Sequence, residues 1–259
     1  KRLVVGLVST GIIATLFTGC TTKDVTPVRA ESAEEVINLF NEYNKANDIE
    51  NMVSLYSDVY LDSVGYSSGT VVKMLEANRK NAQITKSETE SIEAIDENIE
   101  KAVVNMAIME EGKEVPYTYT YAMIKEDDGW AVSPDGVIEC INVEAPEIVS
   151  GKLNIYLSKI IKLVDGYILR ADISNNSSEA YSFGKEGNLC EVVVETTEGQ
   201  YKTPMLEEVK LDKKVKTYFM ARADELKGEV KKVTITNVYD IEDDVIKEDS
   251  MRDIVIYEK

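Results

Sequence analysis

The spacing of apolar positions changes twice along this chain, and the changes divide it. Residues 3–17 are almost wholly apolar or small, preceded only by Lys1 and Arg2. Residues 21–30 (TTKDVTPVRA) are polar and carry no periodicity, which predicts a short tether. Order then starts with Ser32-Ala33-Glu34-Glu35, a serine followed three positions later by a glutamate, the spacing of a helix capping box. Val36, Phe40 and Tyr43, with Ile37 beside them, give one helical stripe that Asn44 to Asp48 breaks. A second short helix holds Met52, Val53, Leu55 and Tyr56. A third, over 70–80, sets Val71, Val72 and Leu75 on one side.

Beyond residue 80 the period falls from 3.6 to 2. Strands are predicted over 87–95, 102–109 and 115–125, with turns at Glu97-Asn98 and Glu110-Glu111-Gly112-Lys113. The third carries Tyr117, Tyr119 and Tyr121 on one face, and Asp127-Asp128-Gly129 turns into a last strand at Trp130-Ala131-Val132. Helices followed by an antiparallel meander make an α+β domain over 31–139. Residues 140–151 (CINVEAPEIVSG) separate it from a different pattern and read as a linker. From 152 to 259 the chain predicts strands only: 153–164, a turn at Asp165-Gly166, 167–174, 189–196, 201–204, 215–222, 230–238 and 254–257. Some seven short strands with Asn, Asp and Gly turns predict an all-β sandwich.

Composition narrows the chemistry. The 259 residues contain no histidine, which removes imidazole bases, Ser-His-Asp triads and histidine metal sites. The formal charge of −18 argues against a nucleic-acid partner, because phosphate binding needs a basic footprint. Nothing in the chain marks a cofactor or a metal site. The acidic run Asp240-Ile241-Glu242-Asp243-Asp244 lacks the glycine and alternating oxygens of a calcium loop and reads as a solvated turn.

A basic start, a short apolar run and a small-residue exit form the pattern of a secretory signal, 1–19, too short for a comfortable membrane span. Its end, Phe17-Thr18-Gly19-Cys20, resembles the bacterial lipobox, with Phe17 where leucine is usual. The resemblance implies lipidation of Cys20, which becomes the first mature residue. Residues 20–30 are then a tether holding an acidic body at the extracytoplasmic face of the cell membrane.

Residues 30–139 resemble the nuclear transport factor 2-like superfamily. The likeness rests on "AEEVINLFNEYNKANDIENMVSLYS", the paired long strands and the closing "EDDGWAVSP". It implies a cone in which a curved sheet wraps a long helix and leaves a cavity, used in some members for catalysis and in many for binding or dimerisation. Isomerase chemistry in that family needs an Asp base and a Tyr or protonated Asp donor, and Tyr56, Asp58 and Tyr60 supply such types as a candidate ligand cavity. None of them matches a catalytic motif. The stretch "GYILRADISNNSSEAYSFG" is similar to the immunoglobulin-like domains of Gram-positive surface lipoproteins, although the Cys-Trp-Cys core of true immunoglobulins is absent.

With Cys20 assigned to the lipid, Cys140 and Cys190 remain, either bridged in an oxidising exterior or buried as separate thiols. The preferred reading is a non-catalytic, lipid-anchored surface protein that binds an envelope protein, a glycan or a small molecule, with homodimerisation open to it. The alternative is a small-molecule isomerase or dehydratase working through Tyr and Asp in the cone.

Overall fold

A computed structural model describes residues 23–79, 83–110, 112–146, 149–204, 208–224 and 226–259. The signal-like run 1–19 and Cys20 lie outside the described residues. Among those described, no helix is long and apolar enough to cross a membrane. Contacts within the chain define two units that part at Cys140, except that residues 162–164 group with the first.

The first unit opens with four helices. Ser32 caps α1 (Ala33–Ala46) by accepting the Glu35 N–H, and Glu35 reaches back to the Glu31 N–H, as in a capping box. Asn47, in the left-handed region at φ 55°, ends it. Then follow α2 (Ile49–Ser54), α3 (Asp58–Val64) and α4 (Ser68–Arg79). The second of these short helices, α3, is absent from the sequence reading, because Tyr60, Leu61 and Val64 alone mark its core-facing side. Its ends are nevertheless well specified, by Ser57 at the front and Gly65 (φ 72°) behind.

A four-stranded antiparallel meander follows, in the order β1 (Gln83–Ala94), β2 (Ile99–Glu110), β3 (Lys113–Glu126) and β4 (Gly129–Ser133). The strands are longer than the alternation predicts, and β2 pairs with β3 without interruption from Ile99↔Ile124 to Glu110↔Lys113. Val36, Ile37 and Phe40 of α1 pack with Val104 and Met106 of β2 and Tyr121 and Met123 of β3 in one core. Each fully buried side chain of this size contributes about 1.5–3 kcal/mol relative to exposure.

Two expectations about connecting segments change. Residues 24–30 are hydrogen-bonded to the first unit at several points, so the predicted tether is ordered structure over most of its length. The predicted linker 140–151 begins inside β5 (Val137–Asn142), and Val143 N–H still donates to Ser158 O at 2.9 Å.

Among the described residues the second unit is built of strands and turns, with one 3-10 turn at Glu248–Ser250: β6 (Leu153–Leu163), β7 (Gly166–Asn175), β8 (Ala180–Phe183), β9 (Glu191–Thr196), β10 (Gln200–Pro204), β11 (Val209–Leu211), β12 (Lys216–Asp224), β13 (Val230–Glu242), β14 (Val245–Ile246) and β15 (Arg252–Glu258). One sheet runs β12-β7-β6-β5. In the other, the long β13 pairs with β9, β8, β14 and β15, and β10 and β11 extend it. Leu157, Leu169, Ala171 and Phe219 of the first sheet share one hydrophobic cluster with Phe183, Val192, Val194, Val233 and Ile235 of the second. The edge strand β12 alternates strictly, with Phe219, Ala221 and Ala223 buried while Lys216, Met220 and Asp224 are exposed. The molecule is mostly β, with several antiparallel sheets.

Candidate functional site

The interior of the first unit is where the sequence places its candidate residues. Tyr56 lies between α2 and α3 and bridges in parallel to Val132 of β4; Ser57 N–H donates to Val132 O at 2.8 Å. This pairing turns the Tyr56 ring inward against Phe40, with centroids 6.4 Å apart. Phe40 stacks at 4.8 Å on Tyr121, and Tyr60 of α3 meets Tyr56 edge-on at 5.3 Å and 83°. Tyr119 and Tyr117 continue the row along β3 at 6.5 and 6.1 Å. The predicted tyrosine face of β3 is therefore the inner face of the sheet, most deeply buried at Tyr121.

These hydroxyls are poor acids. Burial, then the Asp135 carboxylate, pushes Tyr60 up to about 12. Burial dominates for Tyr56 and Tyr121 also, with neighbouring tyrosines and Asp135 adding to it and the Arg79 guanidinium partly opposing, and both are raised. Rings in contact at 5–6 Å with their hydroxyls held neutral have the character of a filled core.

Asp58 does not join them. Its side chain is 77% exposed and faces Arg29, whose guanidinium lies 3.5 Å from it. Residues 56, 58 and 60 sit two apart around the start of a helix, a spacing that turns neighbours to opposite sides. Arg29 is the centre of this second cluster. Its side chain is 5% exposed, its guanidinium is 2.5 Å from Glu126, and its Nε is 3.4 Å from Asp128. Glu126 also accepts the Asp58 N–H at 2.9 Å, tying α3 to the end of β3. Asp24, Asp58, Asp62 and Tyr66 line an open groove of about 730 Å³ beside it.

A third group went unread in the sequence. Asn41 and Asn44 lie on the buried face of α1, four residues after Ile37 and Phe40. Asn44 Nδ2 donates to Ser87 Oγ (3.2 Å), and Asn44 Oδ1 accepts from Arg79 (2.7 Å). Ser87 donates to Asn41 Oδ1 (2.7 Å), and Asn41 Nδ2 donates to Thr89 (2.9 Å). The network bonds α1 and α4 to β1 with its donors and acceptors matched, which is what burial of polar groups requires. On the opposite face of the sheet Glu90, Asn105 and Thr118 form a hydrogen-bonded polar row.

Two readings were open to the remaining cysteines, bridged or separate. Cys140 and Cys190 carry thiols and are not joined. Cys190 is fully buried in the aliphatic cluster of the second unit, and burial pushes its thiol up to about 12. In the acidic run, Asp243 and Asp244 turn β13 into β14 with positive φ, while Asp240 pairs with Arg252 (2.8 Å) and Glu242 with Lys247 (2.7 Å). Among the described residues no group of His, Cys, Asp and Glu is placed to hold a metal ion.

No protein-family model matches the chain, and no curated protein matches it. Among solved structures it is similar to an NTF-2-like protein of unknown function from Shewanella oneidensis MR-1. The two are 11% identical; the match covers 39% of this chain and 90% of that one, with a TM-score of 0.33.

Proposed function

We propose that this is a lipid-anchored protein of the extracytoplasmic membrane face with a non-catalytic binding role. It is built from a nuclear transport factor 2-like α+β module and an immunoglobulin-like β-sandwich. Support for the first module is the order of helices before a four-stranded meander around α1. Support for the second is a pair of antiparallel sheets sharing one core. The lipobox-like Phe17-Thr18-Gly19-Cys20 supports the anchor. Its partner is an envelope protein, a glycan or a small molecule met at the cell surface, and the chain's acidity favours a cationic surface on that partner.

One observation carries the choice of binding over catalysis. The tyrosines that would line a reactive cone pack against one another and against Phe40, while the candidate base, Asp58, is outside on Arg29, and Asp135, the carboxylate whose charge they feel, is exposed on the turn after β4. An acid–base pair needs both groups within hydrogen-bond reach of one substrate. Tyrosine absorbance followed against pH tests this. A filled interior keeps Tyr56 and Tyr121 un-ionised until the protein unfolds; reversible ionisation of both near pH 10 in the folded state would reopen the enzyme alternative. The anchor is tested by fractionation: the Cys20→Ala variant loses lipid labelling and leaves the membrane or stays unprocessed, and normal labelling of that variant refutes it.

A further inference from the structure

The stretch leading into the first helix is bound along its length. Asp24 Oδ1 accepts the Gly69 N–H at 3.4 Å, and Val25 N–H donates to Ser68 Oγ at 2.9 Å, both at the start of α4. Val28 N–H donates to Ser54 O at 2.8 Å at the end of α2. Ala30 and Trp130 exchange both backbone hydrogen bonds, at 3.1 and 2.9 Å. Arg29, between these points, is buried on Glu126 with Asp58 and Asp128 around it. Gly129 leaves the room this needs: its φ is +134°, and a Cβ there would stand 2.6 Å from Ala30 O. Four separate parts of the unit hold seven residues, so the stretch does not peel away piecemeal.

What lies upstream is short. From Cys20 to Asp24 there are four Cα steps, which span at most about 14 Å when fully extended. A free tether of ten residues would reach about 35 Å and let the body turn in any direction. Resting on the reading of Cys20 as the lipid-bearing residue, we propose that residues 24–30 are a strap built into the first unit. The lipid bilayer is then the partner of the corner formed by α3 and the start of α4, held within about 14 Å of it. Tyr66, 50% exposed in the groove with Asp24 and Asp62, is the side chain there suited to the water–lipid boundary. The carboxylates come within one to two Debye lengths of the headgroups (about 8–10 Å each at ordinary salt), so a neutral bilayer admits this corner more closely than an anionic one.

The geometry is testable whatever the cell does with Cys20. The mature chain, residues 20–259, is coupled through Cys20 to a maleimide lipid in phosphatidylcholine vesicles. A Cys140→Ser background confines coupling to Cys20, because Cys190 is buried with its thiol pushed up to about 12. Energy transfer to a dansyl headgroup is read from Tyr66→Trp and from Lys113→Trp, each with Trp130→Phe. Lys113 stands at the far end of β3 from Glu126, about 43 Å away along the strand at ~3.3 Å per residue. Transfer several-fold stronger from the Tyr66→Trp chain is expected, and twenty Gly/Ser residues inserted after Lys23 equalise the two. Equal transfer without the insertion overturns the proposal. Lipid labelling of the unmodified chain in cells is scored separately: its absence sinks the anchor reading and leaves the vesicle result to judge the strap.

Discussion

The two units bury their interiors by different means. The second has a cluster of aliphatic and small residues with Phe183 and Phe219, joined across two sheets, and holds its buried amide, Asn175, at the end of β7, where it bonds the Glu179 and Asp212 carbonyls. The first packs α1 on its sheet through aromatic rings and sets Asn41, Asn44 and Ser87 among them. Apolar contacts are tolerant of shape, so the second core accepts conservative changes at modest cost. Directional bonds are not, because each partner lost leaves another buried and unmatched. In the first unit such bonds lie on α1 itself, the helix that carries Phe40 against the tyrosines.

The largest test of that contrast is volume. Phe40→Ala costs the first unit roughly 3–5 kcal/mol, and Phe219→Ala costs the second a similar amount. The chain's one tryptophan, Trp130, lies in the first unit, so its fluorescence in a urea titration separates the two. The midpoint moves strongly for Phe40→Ala and stays for Phe219→Ala; equal movement would mean that the units unfold as one.

Polarity comes next. Asn44→Leu strands Arg79 and Ser87 and destabilises the first unit by about 1–3 kcal/mol, whereas Ile235→Val in the second costs only about 0.5–1.5 kcal/mol. A smaller loss from Asn44→Leu than from Ile235→Val, in the same titration followed by circular dichroism, would reverse the ranking. Arg29→Met sits between surface and core: it leaves Glu126 half-buried against no cation and loosens the strap at one of its attachments, for about 1–2 kcal/mol. Proteolysis of that variant is expected to cut within 24–30 sooner than in the parent.

The smallest effect near neutrality is pH. Tyr56, Tyr60 and Tyr121 ionise less readily folded than unfolded, because burial disfavours the phenolate. Their contribution is complete below the ordinary tyrosine value of 10.0 and is lost as the pH rises from there through about 12, where Tyr60 titrates. Alkaline melts should show the first unit failing before the second.

The sequence is legible where period and packing agree. The stripe Val36, Ile37, Phe40 became the buried face of α1, and the paired strands of both units fell where alternation put them. It was less legible where a polar residue faces inward. Asn41 and Asn44 continue that same stripe by four, but their amides hid them from a count of apolar positions. Short strands such as β8 and β11 carry too few residues to establish a period. Asp58 misled because nearness in sequence is not nearness in space at a helix start, and the Arg29 cluster was invisible because its acids arrive from two segments far from Arg29 in sequence.

The strand β12 has a consequence for crowding. A sheet border is a template on which a second chain can lay its own strand. On the face of β12 away from the core, Arg222 pairs with Asp224 at 2.8 Å, and Arg170 of the adjoining β7 lies over Tyr218 at 4.4 Å while bonded to Asp172. A neighbouring molecule adding there would have to strip water from those ions and give them nothing in return. Copies confined to two dimensions meet far more often than copies in free solution. On the membrane proposed above, this charged border opposes strand addition at β12.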